Sequence, residues 1–249
     1  MKEREIRVKI RRQDKPGDAR RWEEFSIPYQ KNLNVISCLM EIRCNPVTRQ
    51  GRSTTPPAWE QNCLENVCGS CSMLINGRPM QACAALVDRL AQPIVLQPLT
   101  KFPLVRDLIV DRQRMFDLLR KVHAWIPIDG THDLGPGPEI SESERAQSYT
   151  FSQCMTCGCC MEACPQFGPG KDFVGPAPLA QIRLFNAHPT GRMNRRERLL
   201  PVMGRGGVTD CGNAQNCVTA CPKDIPLLDA ISEVNRQVSV QWFQDLFRP

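Results

Sequence analysis

The 249-residue chain is poor in the side chains that most often carry out proton chemistry or stack on ligands: three histidines, two tyrosines and four tryptophans. His123, His132 and His188 are scattered and share no ligand spacing, so each reads as a surface or loop residue. Long apolar runs are missing too. The best stretch, around Pro93–Leu99, is short and proline-bounded, well under the ~18 consecutive apolar residues a spanning helix needs. The first residues, Met1-Lys-Glu-Arg-Glu-Ile-Arg7, have no apolar stretch of the signal-peptide kind, so the expectation is an intracellular chain in a reducing compartment. There is no P-loop. Gly204-Arg-Gly-Gly207 follows no convincing strand and lacks the dinucleotide fingerprint, so it reads as a flexible loop. No catalytic residues are legible, and substrate chemistry is left to another chain.

What the sequence does hold is fourteen cysteines. In a reducing compartment, clustered cysteines point to metal rather than to disulfides. They fall into two camps. The first, from residue 38 to 83, lies in strand-like sequence. Ile6, Val8 and Ile10 alternate with Arg7, Lys9 and Arg11, which predicts a half-buried strand. A turn over Asp14–Asp18 leads to a second strand over Trp22–Ile27. Val35, Ile36, Leu39 and Met40 recur at helical spacing behind Asn34, an N-cap type. Ser72–Ile75 runs into Asn76-Gly77, a strong hairpin signal, and Pro93–Leu96 reads as the last strand. This is a small α+β sheet with one helix on a face.

Beyond Pro98 and Pro103 the pattern turns helical. One amphipathic helix starting at Asp107 carries Leu108, Met115, Leu118, Leu119 and Val122. Gly135–Pro138 is a loop, and Ser141 with Glu144 forms a capping-box signature. Pro178 opens a helix with Leu179, Ile182 and Phe185 that stops near His188-Pro189. Pro226 opens a last one with Ile231, Val234 and Val238 on one face. The expected division is therefore a sheet domain over 1–105 and a helical domain over 106–249.

The first cysteine constellation is Cys63-x4-Cys68-x2-Cys71 with Cys83 after eleven intervening residues, the plant-type spacing for a [2Fe–2S] cluster. Three thiolates from one tight loop converge on a small rhomb, and Gly69 lets backbone N–H groups approach the sulfurs. The alternative, zinc, prefers paired Cys-x2-Cys knuckles, and only Cys68/Cys71 makes one. The second constellation is Cys154-x2-Cys157-x2-Cys160-x3-Cys164-Pro165, the bacterial ferredoxin run. A degenerate copy follows as Cys211-x5-Cys217-x3-Cys221-Pro222, with Ala214 where its second cysteine belongs. In such folds the fourth cysteine of each run ligates the other run's cluster. Cys154, Cys157, Cys160 and Cys221 then hold a [4Fe–4S] cluster. Cys164, Cys211 and Cys217 offer only three thiolates, which predicts [3Fe–4S]. Cys38, Cys44 and Cys159 have no partner spacing and read as small buried residues or free thiols.

The formal charge of +6 could be taken for a nucleic-acid footprint, but the 32 basic and 26 acidic residues are interspersed. Each oxidised cluster with its ligands contributes about −2, so three of them offset the excess. No nucleic-acid partner is expected. The competing reading, a zinc-dependent nucleic-acid module, would give a colourless protein without acid-labile sulfide.

Taken together, these residues resemble the iron–sulfur subunit family of succinate dehydrogenase and fumarate reductase (succinate:quinone oxidoreductase). The resemblance rests on Cys63–Cys71 with Ile75-Asn-Gly77 and Cys83, on Val105–Asp111, on Cys154–Pro165, on Val174-Gly-Pro-Ala177 and on Cys211–Pro222. It implies a β-grasp plant-type ferredoxin domain followed by a helical, bacterial-ferredoxin-like domain. It also implies electron flow from FAD on a flavoprotein subunit through [2Fe–2S], [4Fe–4S] and [3Fe–4S] to quinone at a membrane-anchor cytochrome b, on the cytoplasmic face of the cell membrane. Fumarate reductase, running the other way, is the alternative within the family. Some members carry a tryptophan pair after the first Cys-Pro and a histidine after the first cysteine of the second run. Here Gln166-Phe-Gly-Pro169 and Gly212 stand there, which is closer to members with a di-haem anchor that use menaquinone. Pro165, Gly212 and Ala214 are the residues this implies near quinone.

Overall fold

The computed structural model describes residues 4–127 and 139–247. His132 and the Gly135–Pro138 loop lie outside the described residues. Two units of dense internal contact emerge: one runs through Arg112 and includes Met155–Ala163, and the other comprises Gln113–Cys154 and Cys164–Pro249. This differs from a single cut near residue 105. Met155–Ala163, though it carries part of the second cysteine run, packs with the N-terminal sheet for reasons given below.

In the first unit, β1 (Glu5–Arg12) pairs antiparallel with β2 (Arg21–Pro28) and parallel with β5 (Ile94–Gln97). β3 (Ser72–Ile75) and β4 (Arg78–Gln81) form the hairpin turning at Asn76-Gly77, giving the order β2-β1-β5-β3-β4. The alternation in β1 buries Ile6, Val8 and Ile10 on one face. Onto that face α1 (Val35–Cys44) lays Val35, Ile36, Cys38, Leu39 and Ile42. Asn34 caps it as expected, its Oδ1 accepting the Ser37 N–H at 2.9 Å.

β5 is not the last strand. β6 (Leu104–Arg106) and β7 (Ile109–Val110) form a further two-stranded ribbon, and the helix expected from Asp107 begins only at Gln113. The reason is Asp107 itself. Its backbone sits at φ +46°, and its buried carboxylate accepts from Arg12 Nε at 3.0 Å, Gln13 N–H at 3.0 Å and Ala58 N–H at 2.9 Å. Arg12, fully buried at the end of β1, also bonds Glu23 and the Thr55 carbonyl. The residue read as a helix start instead closes the first unit.

The second unit is helical: α2 (Gln113–Lys121), α3 (Glu142–Ser152), α5 (Pro176–Ala187), α6 (Arg195–Leu199), α7 (Asn216–Thr219) and α8 (Leu227–Leu246). The capping box at Ser141/Glu144 is present. α5 starts at Pro176, two residues ahead of Pro178, and packs on α8, which buries Ile231, Val234 and Val238. Within Gly204–Gly207, Gly206 and Gly207 are buried and tightly packed, while Gly204 and Arg205 are exposed. A Cβ on Gly207 would lie 2.1 Å from the Val202 carbonyl oxygen, and Gly206 accepts the Val174 N–H. Within the Cys154–Cys164 run lies α4 (Cys159–Ala163), which belongs to the first unit. No described helix is long and apolar enough to cross a membrane.

Candidate iron–sulfur sites

The loop from Cys63 to Cys71 is shaped by left-handed backbone at Leu64 (φ +62°), Asn66 (φ +56°) and Gly69 (φ +73°). These turns aim the N–H groups of Glu65, Val67 and Cys68 at one atom, the Cys63 sulfur, at 3.4, 3.4 and 3.3 Å. A sulfur with three backbone donors is prepared to carry negative charge. Cys68 stands beside it. A backbone N–H and the Ser70 hydroxyl, 3.1 Å away, pull its thiol down to about 6. Cys71 and Cys83 make a second pair, where burial pushes Cys71 up to about 12 and the Cys83 sulfur is its immediate neighbour. Two pairs of sulfurs match a [2Fe–2S] rhomb, in which each iron takes two protein thiolates. Of the four residues singled out from the spacing, Cys63 lies beside Cys68 and Cys71 beside Cys83.

The segment Met155–Ala163 is fixed to this loop by contacts that the sequence did not reveal. Arg112 donates to the Gly69 carbonyl at 2.8 Å and to the Cys157 carbonyl at 3.4 Å. Glu162, buried on α4, accepts the Thr100 N–H, the Thr100 hydroxyl and the Lys101 N–H at 2.9, 2.6 and 2.9 Å. Gly69 is required at the junction. A Cβ there would lie 2.8 Å from the Met155 carbonyl oxygen and 2.9 Å from the Cys157 Cα. Gly69→Ala should therefore lower the melting temperature of the loaded protein. Overpacking costs about 1–3 kcal/mol, and left-handed backbone on a non-glycine adds about 1 kcal/mol or more. Unchanged melting, followed by loss of the visible cluster absorbance, would contradict this packing.

In the second unit, Cys164, Cys211 and Cys217 line one small pocket together with Pro165, Gly212 and Ala214. Burial raises the Cys217 thiol, and the neighbouring Cys164 and Cys211 sulfurs raise it further, which places the three close together. Asn213 (φ +49°) and Gln215 (φ +62°) curl the backbone around Ala214. Gly212 leaves room for Gln166, whose Nε2 would lie 2.7 Å from an added Cβ. Three thiols, with Ala214 on the exposed rim of the same pocket, offer a cluster three protein ligands rather than four.

Comparisons with known proteins place the chain in a family. A "2Fe-2S iron-sulfur cluster binding domain" model matches residues 7–117, and a "4Fe-4S dicluster domain" model matches residues 150–225. The succinate dehydrogenase iron–sulfur subunit of Bacillus subtilis is 59% identical over 242 residues, covering 97% of this chain and 96% of that protein. The chain belongs to the iron–sulfur subunits of succinate dehydrogenase and fumarate reductase. Its fumarate reductase relative in Wolinella succinogenes is 34% identical over 179 residues, covering 71% of this chain and 75% of that one. In fold, a chain of the Mycobacterium smegmatis Sdh1 complex superposes with a TM-score of 0.81 at 22% identity, covering 97% of this chain and 98% of that chain. The α+β, ferredoxin-like architecture is thus that of the family.

Within this iron–sulfur subunit, the remaining sequence-predicted residues divide between the units. Cys157 and Cys160 are buried in the first; Cys154 and Cys221 are half-buried in the second. Cys159 is fully buried, and its hydrogen bond with Cys157 together with burial pushes its thiol far up, while Cys157 is drawn down to about 7. Cys38 is a core residue whose thiol burial raises to about 12, and Cys44 is exposed at the end of α1. His188 has a turn role, its Nδ1 accepting the Thr190 and Gly191 N–H groups at 3.2 and 3.4 Å.

Proposed function

We propose that this subunit holds three clusters in sequence and passes electrons singly between a flavoprotein and membrane quinone. Cys63, Cys68, Cys71 and Cys83 hold [2Fe–2S]; Cys154, Cys157, Cys160 and Cys221 hold [4Fe–4S]; Cys164, Cys211 and Cys217 hold [3Fe–4S]. When bound, the clusters supply one-electron carriers, which this chain's own side chains do not. The observation that carries the reading is the second unit's pocket, which Cys164, Cys211, Cys217 and Ala214 line together.

The chain's residues do the positioning. Backbone donors around Cys63 neutralise developing negative charge on sulfur. Leu64 and Val67, 46% and 58% exposed on the same loop, offer an apolar rim to a FAD-containing flavoprotein subunit. Pro165, Gly212 and Ala214 form the wall beside which quinone would approach. Trp242, Phe243, Leu246 and Phe247 protrude from the end of α8, the last of them 84% exposed, and suit a contact with a membrane-anchor subunit. A di-haem cytochrome b anchor using menaquinone, on the cytoplasmic face of the cell membrane, is the form this reading takes. The identity to a succinate dehydrogenase relative favours succinate oxidation as the physiological direction.

The test is to purify the subunit with its partners and record electron paramagnetic resonance before and after adding succinate. A near-isotropic signal as isolated, replaced by a rhombic [2Fe–2S] signal on reduction, is expected. Cys68→Ser should alter or remove the rhombic signal and leave the near-isotropic one, because Cys164, Cys211 and Cys217 sit in the other unit. Simultaneous loss of every signal in that variant would contradict independent sites.

A further inference from the structure

Gln81 ends β4 directly opposite Ser72, and both side chains are buried, Gln81 to 1% exposure. A carboxamide is a costly occupant of such a position unless all its hydrogen bonds are made. Here they are made to sulfur and hydroxyl. Gln81 Oε1 lies 3.5 Å from the Cys71 sulfur, and Nε2 lies 2.8 Å from Ser72 Oγ and 3.6 Å from the Cys159 sulfur. Cys159 in turn hydrogen-bonds Cys157. A continuous polar chain thus runs from a proposed ligand of the first cluster to a proposed ligand of the next, through a cysteine that has no place in either ligand set.

With Cys71 as a protonated thiol, its S–H donates to Oε1. As an iron-bound thiolate it has no proton, and an amide oxygen facing it would be repelled. Turning the carboxamide half a revolution resolves this. Nε2 then donates to the Cys71 sulfur, and Oε1 accepts from the Cys159 S–H and the Ser72 hydroxyl. Ser72 currently gives its proton to the Gly69 carbonyl at 2.7 Å, but that carbonyl keeps the Arg112 donor at 2.8 Å. The Cys159 S–H leaves the Cys157 sulfur in this turn, and that sulfur is one that iron would ligate.

We propose that Gln81 is a positioning residue that donates an N–H···S bond to iron-bound Cys71 and raises the reduction potential of the first cluster, and that Cys159 holds its amide in the donating orientation. This rests on the ligand assignment given above. The physical basis is general: hydrogen bonds to cluster sulfurs stabilise the reduced, more negative state. Raising the potential of the carrier nearest the flavin eases entry of the first electron. It also gives Cys159 a task, as the sulfur in contact with the Gln81 amide.

The experiment is a redox titration of the [2Fe–2S] resonance in the purified complex, with iron and sulfide measured on each sample. Gln81→Met keeps the length and loses the donor. It should weaken the cluster's electron affinity about tenfold, a fall of ~59 mV for one electron, with iron content and the other clusters' midpoints unmoved. Cys159→Ala should shift the midpoint in the same direction by about threefold in affinity, and Cys159→Ser, whose hydroxyl still donates, should restore the wild-type value. An unchanged midpoint in Gln81→Met with its cluster intact would overturn the proposal. If that variant fails to assemble its cluster, the Cys159 pair decides, and equal midpoints for Cys159→Ala, Cys159→Ser and wild type overturn it. Absence of any [2Fe–2S] resonance in the wild type would instead reject the ligand assignment.

Discussion

Asp107→Ala is expected to unfold the first unit at a much lower temperature than the wild type and to release its iron in the same step. The carboxylate is fully buried and satisfies three donors: the Arg12 guanidinium and the N–H groups of Gln13 and Ala58. Alanine leaves the Arg12 Nε–H, without solvent exposure, with no acceptor, although Glu23 still pairs with the guanidinium. Losing a buried hydrogen bond to a charged group costs about 1.5–3 kcal/mol. The two orphaned N–H groups add to this, at about 1–3 kcal/mol each when fully dry. A total of that size is comparable to the whole stability of many domains, ~5–15 kcal/mol. Asp107→Asn, which keeps one acceptor oxygen for the backbone donors, should fall between the two. The measurement is thermal loss of the [2Fe–2S] visible absorbance alongside circular dichroism. A melting point within a degree or two of wild type for Asp107→Ala would mean that the carboxylate is not closing this unit.

That pair also marks where sequence reading stops. The strand alternation of Ile6, Val8 and Ile10, the Asn76-Gly77 turn, the Asn34 cap and the Ser141/Glu144 box were all legible because their causes lie within a few residues of one another. Asp107 was read as a helix start because an acid ahead of an amphipathic pattern is a common cap. Its actual partner, Arg12, is 95 positions away, and no local pattern encodes that distance. The same holds for Gln81 and Cys159, 78 positions apart. The one available signal was a glutamine at a strand position facing a serine across a hairpin, too weak to act on by itself. The cysteine groups of the first loop and the second-unit cavity could be grouped from spacing because cluster geometry fixes the spacing. What spacing could not supply is that Met155–Ala163 packs with the sheet, which depends on the missing side chain of Gly69 and the reach of Arg112.

Ala214→Cys carries the sharpest expected change in the electronic properties of this subunit. Ala214 lies in the wall of the cavity that holds Cys164, Cys211 and Cys217, on a stretch curled by left-handed residues on either side. A sulfur added there would supply the fourth thiolate that a cubane corner requires to keep its iron. An oxidised [3Fe–4S] cluster is paramagnetic and gives a near-isotropic resonance, whereas [4Fe–4S]²⁺ is silent, so the substitution should reduce or abolish the signal of the protein as isolated. Iron should rise from about nine to about ten atoms per chain as the third cluster gains its missing corner. The added thiolate makes the site more negative and lowers its potential, since cluster type and net charge set where a site sits in the wide iron–sulfur range. Each ~59 mV of that fall makes the site tenfold harder to reduce. Delivery to quinone should consequently drop, while succinate-driven reduction of a dye that accepts electrons on the flavin side persists. The two activities must separate for the assignment to hold. A wild type that already contains ten irons and shows no oxidised-state resonance would mean that a non-cysteine group holds the fourth iron, and the role given to Ala214 would be lost.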